Sequence, residues 1–132
     1  MNFQELIDKY TKIVAKILYN LDNVKVIFDD NLSSGGEPIR ALCKLNDENT
    51  IYYHGKTFEK YPTEIPTGTW DTVVHEVSHY EIGIESTKNW YTYHSKAFRE
   101  LQKVNLQKVK DLRKQFNREL SIIKKMSQRT NL

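Results

Sequence analysis

Cysteine is almost missing from this chain: Cys43 stands alone among 132 residues. A single thiol excludes an intrachain disulfide and a zinc ribbon built from cysteines, so any metal here must be held by imidazoles and carboxylates. Cys43 itself reads as a small buried hydrophobe. Long apolar runs are missing too. Met1 to Tyr10 mixes charges into its apolar positions and lacks a basic start followed by an apolar stretch, which argues against a signal peptide or membrane span and for a cytoplasmic, intracellular protein. Glycine is scarce, and its one adjacent pair, Gly35-Gly36, lacks the spacing of a phosphate-binding loop and reads as plain loop.

The length and the 39% hydrophobic content suit one soluble domain, residues 1–132, with a modest core. The net charge of +3 hides an asymmetry. From Lys96 to the end, eleven Lys and Arg meet only Glu100, Asp111 and Glu119, a balance of +8 that leaves −5 for the remainder. A basic tail on an acidic body suits an anionic partner such as nucleic acid, although a lysine-rich solvated helix face is the commoner cause of such runs.

Apolar residues at Phe3, Leu6, Ile7, Tyr10, Ile13, Val14, Ile17, Leu18 and Leu21 predict an amphipathic helix from Asn2 to about Leu21 that covers a core. Val24 to Asp30, Ile39 to Leu45 and Thr50 to Tyr53 predict three strands of one small sheet. Asn31 to Pro38 has turn composition throughout, and Gly55 to Gly68 reads as a long connection. From Phe98 a stripe runs through Leu101, Val109, Leu112, Phe116, Leu120, Ile123 and Met126, weak only at Asn105 and free of glycine and proline. Thirty such residues would extend about 45 Å, so either the helix breaks near Asn105 or residues 106–132 project as a basic extension.

Between these segments lies His75-Glu76-Val77-Ser78-His79. At about 100° per residue the two histidines share one helical face with Thr72 and Asp71 beside them, while Trp70, Val73, Val77, Tyr80 and Ile84 form an apolar back. Thr67 or Thr69 is expected to cap this helix, and its end is expected near Gly83. Two imidazoles one turn apart can hold one zinc, and Glu76, turned away from them, can act as general base toward a metal-activated water. A third ligand must come from elsewhere, because the positions where a glycine and a third histidine would follow closely are Ile82 and Glu85. His94 at the start of the final helix is the first choice, Glu100 the alternative, and His54 reads as a strand or cleft-edge residue.

The pentad followed fifteen residues on by His94-Ser95-Lys96-Ala97-Phe98 resembles the SprT-like metallopeptidases. The resemblance covers roughly residues 1–105 and implies an α+β, minimal zincin-like domain: an N-terminal helix, a small three-stranded sheet, the pentad helix and a long basic C-terminal helix. It implies zinc held by His75, His79 and His94, Glu76 as general base, and hydrolysis of peptide bonds in proteins associated with or crosslinked to DNA. Ser95 replaces the glycine usual after the third histidine, and the cysteine ribbon of many bacterial members gives way to the basic helix. The alternative expectation is a nucleic-acid-binding or protein-binding module whose zinc site is structural or vestigial. Tyr91, Tyr93 and His54 are the candidate oxyanion donors.

Overall fold

A computed structural model describes residues 1–58, 68–82 and 96–130, with side chains through residue 126. Helix α1 spans Phe3–Tyr19 and starts in a reciprocal cap, where Asn2 Oδ1 accepts from the Glu5 amide at 2.8 Å and the Asn2 amide donates to Glu5 Oε1 at 3.2 Å. Asn20 ends it in the left-handed conformation, φ 54°. Its buried face carries Phe3, Leu6, Ile7, Tyr10, Thr11, Val14 and Ala15, the apolar spacing of the sequence made into a packing surface.

Five short strands follow: β1 Lys25–Asp29, β2 Ser33–Ser34, β3 Glu37–Pro38, β4 Ala41–Lys44 and β5 Thr50–His54. β5 is central in a mixed three-stranded sheet of order β1-β5-β4, parallel to β1 and antiparallel to β4. Its Ile51 and Tyr53 are fully buried, and the Tyr53 hydroxyl shares a 2.9 Å hydrogen bond with Thr11 Oγ1 that ties the sheet to α1. The segment expected to be plain loop instead contains a hairpin, β2 against β3. Gly35 and Gly36 turn it with φ of 60° and 84°, positive at both central positions as the tightest hairpin turns require. A one-turn helix, α2 Leu45–Glu48, joins β4 to β5.

Helix α3, Thr69–Ser78, packs against α1, β4 and the helix that begins at Lys96. Trp70, Val73, Val74 and Val77 are its buried face, and Tyr80 beyond its end lies half-buried against Tyr19. Its cap differs from expectation: Gly68, at φ 120°, is the N-cap, Thr69 is already helical, and the Thr72 hydroxyl donates to the Gly68 carbonyl at 3.2 Å. Thr67 and Ile84 lie outside the described residues. The helix also stops before Gly83, because after Ser78 the chain tightens into three-residue turns, Tyr80 N–H to Val77 O and Glu81 N–H to Ser78 O.

The C-terminal stripe forms two helices, α4 Lys96–Lys108 and α5 Lys110–Thr130. The break falls at Val109, whose carbonyl accepts from both Leu112 and Arg113, and not at Asn105, which is buried inside α4. Up to Ile123, α5 does not project. Val109, Phe116 and Ile123 recur every seven residues and are buried in the core, and the Phe116 ring meets Tyr10 at 5.3 Å and Trp70 at 5.3 Å. Lys9 Nζ on α1 donates to Glu119 Oε1 at 2.7 Å, closing the same seam. The architecture is α+β, and no helix among the described residues is long and apolar enough to cross a membrane.

Candidate metal centre

The pentad spans the last turn of α3 and its C-cap, His79, where the helix presents one face to α4. His75, Glu76 and His79 come together as one group, their ligand atoms within 4.8 Å of one another. His75 Nε2 lies 3.8 Å from Glu76 Oε2, and the two imidazole centroids are 4.9 Å apart at nearly a right angle. These three residues could hold a metal ion. The two imidazole nitrogens are ligands that zinc accepts, and the Glu76 carboxyl lies beside them.

Phe98 from α4 explains how the rings keep their orientation. It stacks on His79 at 4.2 Å with 16° between planes and meets the His75 ring edge-on at 5.0 Å. Hydrogen bonds add to this. His75 Nδ1 faces Gln102 Oε1 at 3.0 Å, and His79 Nδ1 faces the Ile82 carbonyl at 3.3 Å across the turn that ends α3.

Glu76 is buried, and burial pushes its carboxyl up to about 8; the positive charge of Arg40 acts in the opposite sense. Arg40 lies just before β4, half-buried, with its guanidinium over the Phe58 ring at 5.6 Å. A carboxyl buried in this way favours its neutral form.

Of the residues singled out in the sequence, the structure thus brings together His75, Glu76 and His79. His94, the expected third ligand, lies outside the described residues, as do Ser95, Tyr91 and Tyr93. Glu100, the alternative ligand, is not brought to the site: it is 60% exposed and reaches toward Lys103 at 3.9 Å, on the side of α4 away from Phe98. His54 ends β5 with its Nδ1 3.3 Å from Thr57 Oγ1 and does not join the cluster. Sequence reasoning missed Gln102, Asn105 and Arg40. The signal for the first two was present, since Phe98, Gln102 and Asn105 are spaced to share one helical face. Arg40 carries no comparable signal.

In comparisons with known proteins, no family model matches the chain, and neither does any curated protein or solved structure.

Proposed function

We propose that the protein is a zinc-dependent endopeptidase of the SprT-like kind. The observation that carries this reading is the buried Glu76 carboxyl grouped with the His75 and His79 imidazoles at one end of α3. His75, His79 and His94 would hold the metal. Zinc, when bound, supplies Lewis acidity that makes a water nucleophilic near neutral pH. Glu76 accepts the proton of the attacking water at a carboxylate oxygen and passes it to the nitrogen of the leaving amine. Phe98 and the buried face of α3 exclude bulk water from one side of the site.

The proteins acted on are, in this reading, ones associated with or crosslinked to DNA. Support comes from the outer faces of α4 and α5, where Lys103, Lys108, Lys110, Arg113, Lys114, Arg118, Lys124 and Lys125 are all solvent-exposed. The same face favours a second reading, a nucleic-acid-binding module in which the metal is structural. One experiment separates them: metal analysis of the purified protein with a proteolysis assay run with and without DNA. About one zinc per chain with DNA-stimulated cleavage supports the peptidase. Zinc and DNA binding with no cleavage of any unfolded protein supports the module.

A further inference from the structure

Gln102 is half-buried on α4, with its side-chain oxygen 3.0 Å from His75 Nδ1. An amide oxygen can only accept, so the ring nitrogen facing it must donate. That places the His75 proton on Nδ1 and the lone pair on Nε2, the nitrogen that lies 3.8 Å from Glu76 Oε2. We propose that Gln102 is a positioning residue that sets the tautomer of His75 and so selects Nε2 as its metal-binding atom. Its metal arm rests on the function proposed above; its tautomer arm does not.

The placement of Gln102 is enforced from both sides. One turn earlier, Phe98 lies against both imidazoles. Three residues later, the Asn105 amide donates to Ser78 Oγ at 2.9 Å and to the Tyr19 hydroxyl at 2.9 Å, while Ser78 Oγ donates to the Val74 carbonyl at 2.7 Å. A slip of α4 by one residue would carry the Asn105 amide away from both partners, so the register that delivers Gln102 to His75 is built into the core. His79 receives the same kind of partner from a backbone carbonyl, that of Ile82, which no side-chain substitution removes. Among the described residues, Gln102 is therefore a side chain through which the His75 tautomer can be altered. Partners of this kind fix ring orientation and raise ligand basicity.

The test uses the 132-residue chain as wild type, Gln102→Leu and Gln102→Glu. Two-bond ¹H–¹⁵N correlations of metal-free samples, at a pH where imidazole is neutral, report which His75 nitrogen carries the proton. Chelator competition then reports zinc affinity, and a thermal melt confirms that each variant is folded. Wild type should show Nδ1–H. Gln102→Leu should shift His75 toward Nε2–H and weaken zinc binding roughly 10- to 100-fold. Gln102→Glu, which keeps an acceptor oxygen, should retain Nδ1–H and bind zinc within a few-fold of wild type. Wild-type Nε2–H would overturn the proposal, and so would a Gln102→Leu protein that keeps both Nδ1–H and wild-type zinc affinity. Should Gln102→Leu fail to fold, the wild-type and Gln102→Glu tautomers still decide. If the tautomers behave as expected yet no sample binds zinc, Gln102 keeps its role and the metalloenzyme reading falls.

Discussion

The Asn105 amide nitrogen lies 2.9 Å from Ser78 Oγ, a buried hydrogen bond that locks α4 onto the helix carrying the histidines. Ser78 occupies one of the two unspecified positions of the pentad, and its hydroxyl also donates to Val74 within α3. The site is thus braced by residues that perform no chemistry themselves.

Removing this brace should be costly. Asn105→Ala is expected to destabilise the fold by about 1–3 kcal/mol, since it deletes one buried and one partly buried hydrogen bond and opens a small void. Urea denaturation of Asn105→Ala, Ser78→Ala and the double variant should reveal a coupling of about 0.5–3 kcal/mol. Strictly additive effects would mean that the two residues do not act together.

The seam between α1 and α5 gives a second expectation. Phe116→Ala should cost about 3–5 kcal/mol, because the ring is buried between Tyr10 and Trp70. Ile122→Ala and Met126→Ala should change stability by less than about 0.5 kcal/mol, their side chains being 58% and 55% exposed. Equal and small effects at all three positions would show that α5 is an appendage after all.

Lys9 and Glu119 predict a pH dependence. The Lys9 ammonium holds the Glu119 carboxyl below its ordinary value, so the folded state releases this proton more readily than the unfolded chain does. The pair therefore contributes stability above the unfolded carboxylate pKa, and the contribution is lost as pH falls through the depressed folded value. Both side chains are partly exposed, which limits the effect to about 0–1 kcal/mol. Glu119→Gln should be slightly less stable than wild type at neutral pH and equal to it in acid. Stability curves that stay parallel across that range would remove the pair from the account.

Much of this was legible in the sequence. The buried face of α1, the three strands of the sheet and the pentad helix all follow from local periodicity, which one chain displays directly. The strand order was not legible: β5 sits between β1 and β4, and pairings across 25 residues leave no local trace. The Gly35-Gly36 hairpin was hidden by the brevity of its strands, two residues each, too short to alternate. Asn105 looked like a flaw in an apolar stripe, yet its partners Ser78 and Tyr19 come from distant segments that a stripe cannot anticipate. The site was half legible for the same reason. The pentad supplied three residues, whereas Gln102 acquires meaning only once α4 lies beside α3.

The basic face of α4 and α5 predicts phosphate contacts of electrostatic origin. Affinity for single- or double-stranded DNA should fall steeply as salt rises, and the charge reversals Lys110→Glu, Arg113→Glu and Lys114→Glu together should flatten that salt dependence. Fluorescence anisotropy across a salt series measures both. Binding that is indifferent to salt, or unchanged in the triple variant, would detach DNA from this surface.

The central claim is that Glu76 moves a proton at a metal centre, and the most direct measurement is the rate at which zinc-loaded Glu76→Gln cleaves an unfolded protein substrate beside zinc-loaded wild type. Glutamine preserves the shape of the buried side chain and removes its basicity. Wild type should cleave, and the variant should hold the same zinc while cleaving roughly 10²- to 10⁴-fold more slowly. Cleavage by pure Glu76→Gln protein at the wild-type rate would contradict the account.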